Sequence, residues 1–476
     1  MSSTGSSTSL GPILFVAHND VSSPQFGGVE VYLSRLAQAL KDSVNVFLYV
    51  PNSQKQFQEA RLINAQGEIV ELISFETQFT NWQLNNSERE AVFESLLKRY
   101  HFSLVHFHHL SGHPASLMNS ARKMGVPSMF SFHDFFSVCH IANLIGENKR
   151  YCDSDALSLK SCDQCLNTTY GISFGSQKKR REFWCQMLKL NDALIFNTHS
   201  SYDIASAVYP EIAQSDKTYI LPVAINDLPK NISIALQGRP ILPPLKVAVL
   251  GNFCFHKGAD LIVGAIEALQ NDSIKFHIFG SIEERYMPIL RRHPNVILHG
   301  AYSPETVPIA AKECNTSLHV SICPETYSLT LSESWELGLV PIVSDIGALG
   351  ERVNHGINGF KIPSNSTDAL IVILRDLVSN PLKLSAINKQ ILADLPIAFL
   401  PEHIRQLLLI YKSVINNQHL LPSSYLSHEE PPQKIQSNNR INIEWASFDQ
   451  RSHSDQSRFR ATYNYFINQF RAYLSK

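Results

Sequence analysis

Short apolar runs alternate along most of the chain with segments whose hydrophobic residues recur at helical spacing. Ile13–Ala17 has the length of a buried strand; beyond a Gly27-Gly28 turn, Val29, Leu33, Leu36 and Leu40 mark one face of a helix. The unit repeats as strand Val44–Val50, helix Glu88–Tyr100, strand Leu104–Phe107, a helix near Ala115–Met124 and strand Pro127–Phe132. A helix around Lys178–Leu190 and strand Ala193–Asn197 follow. The segment NISIALQGRPILPPLK breaks the pattern with Pro and Gly and reads as an interdomain linker. Alternation then resumes with strand Lys246–Leu250, helix Asp260–Leu269, strands Lys275–Phe279 and Val296–His299, and helix Pro304–Cys314. It continues with a strand and loop from Cys314 to Glu325, helix Leu329–Leu337, strand Val340–Ser344 and helix Thr367–Leu377. Apolar strands separated by amphipathic helices predict an α/β fold made of two doubly wound, Rossmann-like domains with parallel sheets.

Length supports that division, since 476 residues exceed one typical core and accommodate two domains of roughly 200 residues each plus a tail. The expected boundaries are a disordered 1–11, a first domain over 12–228 with a Cys-rich insertion at 136–170, a linker at 229–244, a second domain over 245–417, and a polar tail over 418–476. That tail ends in an aromatic helix candidate, FRATYNYFINQFRAYL, which either docks back or meets a partner. The 41 basic and 42 acidic side chains nearly cancel, which excludes the positive field of a nucleic-acid binder. No apolar run reaches the roughly 20 residues of a membrane span, and MSSTGSSTSLG lacks the parts of a secretory signal, so a cytoplasmic location is expected. Four of the eight cysteines, Cys185, Cys254, Cys314 and Cys323, are scattered as reduced thiols would be.

Candidate chemistry gathers at the ends of the predicted strands. Glu325 and Glu333, eight residues apart, flank the start of a helix whose free N–H groups favour an anion. Glu333 has the chemistry to accept hydrogen bonds from vicinal ribose hydroxyls, and Glu325 to face a sugar; the plain alternatives are a surface carboxylate and a favourable helix-start charge. In GNFCFHKG, Lys257 precedes a helix start and has the charge to neutralise phosphate, although many such lysines are merely solvated. VHFHHLSGH supplies His106, His108, His109 and His113, and SFHDF supplies His133 and Asp134. His133, at a strand's carboxyl end, is the preferred candidate for binding a sugar hydroxyl or moving a proton. Gly27 and Gly28 let the backbone approach a ligand, but the full G-x-G-x-x-G spacing of a nicotinamide site is absent. Cys139, Cys152, Cys162 and Cys165 offer either a structural zinc site or free or redox-paired thiols. The basic run Lys178, Lys179, Arg180 and Arg181 reads as a solvated helix face, with attraction to anionic lipid as the alternative.

Together these residues resemble the retaining glycosyltransferases of family four over about residues 12 to 415. The most specific marks are the spacing of Glu325 and Glu333, the following ELGLVPIVSDIGALGERV with its Gly338-Leu339-Val340-Pro341 turn, and GVPSMFSFHDF around His133. The resemblance implies a GT-B fold, two Rossmann-like domains facing across a cleft. It implies a nucleotide-diphosphate sugar held by Lys257, Asn252, Glu333 and the backbone around Tyr327, Ser328 and Leu329, with His133, Glu325 and Lys257 as the catalytic set. Gly27, Gly28, His108 and His109 would face a carbohydrate or glycolipid acceptor. Transfer would retain anomeric configuration and require no catalytic cofactor or metal. The family's arginine five positions before its phosphate lysine is Asn252 here, a departure that leaves diphosphate binding to Lys257 and backbone N–H groups. HDFFSVC and the later Cys-x-x-Cys resemble bacterial members associated with surface polysaccharide assembly, and a peripheral contact with the membrane fits that role. A noncatalytic nucleotide-sugar or carbohydrate-binding protein of the same fold is the alternative from another class.

Overall fold

A computed structural model describes residues 10–23, 27–152, 159–213, 215–224, 243–302, 311 and 313–416. The expected linker apart from 243–244, most of the expected helix Pro304–Cys314 and the polar tail lie outside the described residues. Among the described residues the first sheet has eight strands: β1 Ile13–Val16, β2 Val46–Pro51, β3 Glu59–Asn64, β4 Ile69–Ser74, β5 Leu104–Phe107, β6 Ser128–Phe132, β7 Ala193–Phe196 and β8 Thr218–Ile220. Their order is β4-β3-β2-β1-β5-β6-β7-β8. The second sheet has six: β9 Leu245–Leu250, β10 Ile274–Phe279, β11 Val296–Gly300, β12 Thr316–His319, β13 Val340–Ser344 and β14 Phe360–Ile362, ordered β11-β10-β9-β12-β13-β14.

All strand pairs in the second sheet are parallel, as are those joining β2, β1, β5, β6, β7 and β8 in the first. Every residue of β1, β5, β6 and β7 is buried, because helices cover both faces and leave no wet side for a polar alternation. The sheet departs from an all-parallel expectation at one edge, where β3 and β4 add as an antiparallel hairpin. Its turn is fixed by Asn64, whose side-chain oxygen accepts from the N–H of Gln66 at 3.0 Å and of Glu68 at 2.9 Å.

In each sheet the strand order reverses beside the first strand of the domain. β1 lies between β2 and β5, and β9 lies between β10 and β12. The loops leaving such neighbours diverge to opposite faces and open a crevice at the carboxyl ends of the strands, where ligands bind in open α/β sheets. The loops after β1 and β5 carry His18, Gly27, Gly28, His108 and His109; those after β9 and β12 carry Lys257 and Glu325.

The chain does not finish in the second domain. Helix Leu400–Ile415 buries His403, Leu407, Ile410, Tyr411 and Val414, and these pack with Ile13, Phe15, Leu36 and Val46 of the first sheet's core. Tyr411 OH lies 2.9 Å from His106 Nδ1, and His403 bridges Tyr32 OH at 2.9 Å and the Pro222 carbonyl at 2.8 Å. A second domain running unbroken through 417 therefore does not describe the packing, because the apolar stripe of this helix joins the first domain's core, against helix Gly28–Leu40 and the end of β5. Among the described residues, no helix is long and apolar enough to cross a membrane.

Leu407→Ala is expected to cost about 2–5 kcal/mol in denaturant unfolding. Leu409→Ala, on the 45% exposed face of the same helix, is expected to stay within about 0.5 kcal/mol. Equal losses would contradict this docking.

Candidate active site

The crevice of the second sheet begins where β9 ends. The 251–258 loop crosses close over the segment after β12, which Gly258 permits: its φ is +83°, and a Cβ there would lie 2.0 Å from the Val320 carbonyl oxygen. A one-turn 3-10 helix, Phe255–Lys257, then presents Lys257, whose Nζ lies 2.8 Å from Glu325 Oε2. Ser321 Oγ donates to the other Glu325 oxygen. Burial pushes the Glu325 carboxyl up, but Lys257 and Ser321 outweigh it and hold the group at about 2. Lys257 is raised by Glu325 against the lowering effect of burial, so both partners are charged at neutral pH. They border about 420 Å³ of empty space, partly open to solvent, lined also by Gly251, Asn252, His319 and Thr330.

Asn252 faces this space with its side-chain oxygen accepting from Ser281 Oγ at 2.5 Å. Glu333, half-buried on helix Leu329–Glu336, accepts a hydrogen bond from Tyr302 OH at 2.9 Å. Burial raises its carboxyl to about 7, only partly opposed by that bond.

Between Glu325 and that helix, the chain is tied to the first domain. Thr326 Oγ1 donates to the carbonyl of His133 at 2.6 Å, and Thr198 Oγ1 donates to the carbonyl of Thr326 at 3.0 Å. The Tyr327 ring is buried in the core of the first domain and Leu329 packs against it. The side chains of Tyr327 and Leu329, whose backbone was expected at the donor, therefore belong to the first domain's core. The same packing explains Gly28, where a Cβ would lie 3.1 Å from Leu329 Cδ1. Its bareness admits the second domain's Leu329. Gly27 starts the same helix, its N–H donating to Glu30 Oε2 at 2.7 Å.

His133 is half-buried at the end of β6, with Nε2 3.0 Å from His108 Nδ1 and its ring 5.4 Å from Tyr32. Burial lowers its pKa to about 4, so it is a neutral imidazole at pH 7. His108 is 1% exposed and His109 is 8% exposed. The first contacts His133 and the second pairs with Asp134 Oδ2 at 2.8 Å, so neither is arranged to meet an acceptor as expected. His106 bonds Tyr411 and Ser131, and His113 contacts the Ala17 carbonyl. The dense histidines of β5 and its loop thus form a buried support for His133 and Asp134. His18, which the sequence did not single out, stands 29% exposed beside this network, 2.8 Å from Glu30 and with its ring 4.0 Å from His109. Its place one step beyond Ala17, at the end of the first strand, was the available signal. Thr326, Ser321, His319 and Arg352 were also missed, having no motif of their own.

The basic run is divided. Lys178 and Lys179 are exposed, but Arg180 is 2% exposed and donates to the carbonyls of Ser137 (2.8 Å) and Phe136. Arg181 reaches Val138 O and Cys162 Sγ. A wholly solvated face is thereby corrected: the carbonyls of Phe136, Ser137 and Val138, after His133-Asp134, need donors, and the inward arginines donate to all three. Cys139, Cys152, Cys162 and Cys165 form no disulfide as placed; burial, then Cys165, Cys139 and Cys162, push Cys152 up to about 11. As placed, among the described residues, no three His, Cys, Asp or Glu side chains form a group able to hold a metal ion.

Comparison with known families decides the assignment of this arrangement. Residues 26–226 match Glycosyltransferase Family 4, and residues 239–391 match Glycosyl transferases group 1. The chain belongs to these glycosyltransferases. It is accordingly an enzyme of glycosyl transfer with a GT-B fold. Similar solved structures include Anabaena HepE in complex with UDP, with TM-score 0.55 and 16% identity over 84% of this chain and 100% of that one. Sucrose-phosphate synthase from Thermosynechococcus elongatus has TM-score 0.61 and 13% identity over 86% and 100% of the two chains. The catalytic domain of Arabidopsis thaliana starch synthase IV, bound to ADP and acarbose, has TM-score 0.55 and 14% identity over 86% and 100%. No curated protein sequence matches the chain.

Arg180→Met would strand the Phe136 carbonyl at about 1–3 kcal/mol and leave the Ser137 carbonyl to Tyr209 OH alone, so its unfolding free energy should fall by about that amount. Lys178→Met, at 64% exposure, should change stability by less than about 0.5 kcal/mol. Similar behaviour of the two variants in chemical denaturation would refute the division of the run.

Proposed function

We propose that this glycosyltransferase moves a sugar from a nucleoside-diphosphate donor to an acceptor hydroxyl with retention at the anomeric carbon. The observation that carries the reading is the charged Lys257–Glu325 pair at the open switch-point crevice, beside the start of helix Leu329–Glu336. Lys257 and the backbone N–H groups of Ser328 and Leu329 stabilise the charge that grows on the diphosphate as the glycosidic C–O bond breaks. The acceptor oxygen attacks from the face the leaving group departs, and its proton passes to a leaving phosphate oxygen. Glu325 orients the sugar and neutral His133 hydrogen-bonds a sugar hydroxyl across the cleft. No step is routed through a metal. The UDP and ADP in solved neighbours of the same fold support a nucleotide donor here.

The acceptor is proposed to be a carbohydrate or glycolipid of a surface polysaccharide pathway, used at the cytoplasmic side. Exposed Lys178, Lys179 and Phe174, the last 61% exposed, support contact with an anionic lipid surface. The four insertion cysteines support a structural zinc that would draw their thiols closer than they stand. Metal analysis of protein purified without chelator should then find one zinc per chain, and none would remove that proposal.

Incubation with UDP-, GDP- and ADP-sugars should show slow hydrolysis of one donor class. Lys257→Ala and Glu325→Ala should each lower the rate by about a hundredfold or more with the fold intact. Near-normal rates in both would refute the site. Glu333, at about 7, is mostly protonated at pH 6 and mostly ionised at pH 8, and only the ionised form accepts from both ribose hydroxyls. Affinity for the nucleoside of the preferred donor should therefore rise by up to about tenfold between those pH values and become flat in Glu333→Gln. A pH dependence unchanged by the substitution would refute this role.

A further inference from the structure

Behind the turn that enters helix Leu329–Glu336 lies Arg352. Its Nη1 donates to the carbonyl oxygens of Tyr327 at 2.8 Å and Ser328 at 2.9 Å, and its Nη2 donates to Ser332 Oγ at 2.7 Å. The guanidinium carbon also lies 3.8 Å from the centre of the Tyr327 ring and 5.1 Å from that of Trp335, a stacked arrangement suited to a planar cation. One side chain thus grips two successive carbonyls, the first turn of the helix and a ring.

The consequence follows from peptide geometry. In a planar trans peptide the carbonyl and the next N–H point in opposite directions. Drawing the Tyr327 and Ser328 carbonyls toward Arg352 therefore aims the N–H groups of Ser328 and Leu329 away from it. Glu325 and Thr330, which bracket the turn, line the open crevice beside Lys257. Ser328 itself holds φ +73°, a left-handed conformation that a non-glycine residue keeps only when its surroundings fix it. Charge points the same way. Lys257 is ion-paired to Glu325, so the pair brings no net charge to meet a diphosphate, whereas the Arg352 cation is close enough to act on Glu325.

We propose that Arg352 is the positioning residue for the donor diphosphate: it locks the Tyr327–Ser328 turn with the amides of Ser328 and Leu329 toward the phosphates, and adds positive charge from behind without touching them. This rests on the nucleoside-diphosphate reading above. It implies a donor grip built from backbone rather than from a second cationic side chain in the crevice.

Calorimetric titration of wild type, Arg352→Met and Arg352→Lys with UDP, GDP and ADP, beside the parent nucleosides, tests it. For whichever diphosphate the wild type binds, Arg352→Met should weaken affinity by roughly tenfold to a hundredfold. Affinity for the nucleoside, which has no phosphate, should stay within about twofold, a split that general loosening of the domain would not produce. Arg352→Lys keeps the charge but not the fork that spans the carbonyl pair and Ser332 Oγ together, so an intermediate loss is expected. If thermal melting shows Arg352→Met unfolded, the lysine variant carries the same comparison. Unchanged diphosphate binding, or parallel losses for diphosphate and nucleoside, would overturn the inference and leave the donor reading standing. Wild type binding none of the diphosphates would overturn both.

Discussion

The structure turns on the hydrogen bond from Thr326 Oγ1 to the carbonyl of His133. Thr326 follows Glu325, the carboxylate of the donor crevice, and His133 is the half-buried imidazole of the facing domain. One contact of 2.6 Å therefore ties the side chain of the residue after Glu325 to the backbone carbonyl of His133. It is reinforced on both sides. Thr198 holds the Thr326 carbonyl, and Tyr327 is inserted in the first domain's core. Glu351 accepts from the N–H groups of His199 (3.0 Å) and Ser200 (2.6 Å), which start the helix His199–Val208. Because the same turn both lines the donor crevice and touches the other domain, a ligand that shifts it acts on both halves of the site.

The electrostatics of the two crevices differ in kind. On the donor side Lys257 and Glu325 are both ionised and neutralise each other. On the facing side burial keeps His106, His108 and His133 neutral, so their imidazoles act through hydrogen bonds rather than charge. In the proposed mechanism a neutral histidine over a sugar hydroxyl costs no counter-ion, whereas a dianionic diphosphate needs the cation and helix start that the second domain gathers.

Much of this was legible in the sequence where the physical signal was local. The all-apolar strands Ile13–Val16 and Ala193–Phe196 announced parallel sheets buried on both faces. Lys257 and Glu325 announced themselves by lying beyond strand ends, and the structure brings them to 2.8 Å. What stayed hidden depended on partners far along the chain. The polar residues of Glu59–Asn64 masked the β3–β4 hairpin, although the Asn-Ala-Gln-Gly turn between two runs was a usable cue. Helix Leu400–Ile415 has a plain amphipathic stripe, but nothing local says that its partners are Ile13 and Phe15. The histidines misled for the same reason: their density reflected mutual burial, with only His133 of that set left half-open at the cleft. Arg352 and Thr326 act on backbone carbonyls, a chemistry that leaves no residue pattern to read.

The central claim is that a nucleoside diphosphate occupies the crevice between the 251–258 loop and the Glu325–Ser328 turn. A crystal structure of the protein with its preferred nucleoside diphosphate measures this directly. Phosphate oxygens are predicted within hydrogen-bond distance of Lys257 Nζ and of the Ser328 and Leu329 amides, with the Thr326–His133 contact retained. A nucleotide bound elsewhere, or one in this crevice with Lys257 still paired to Glu325 and those amides turned away, would contradict it.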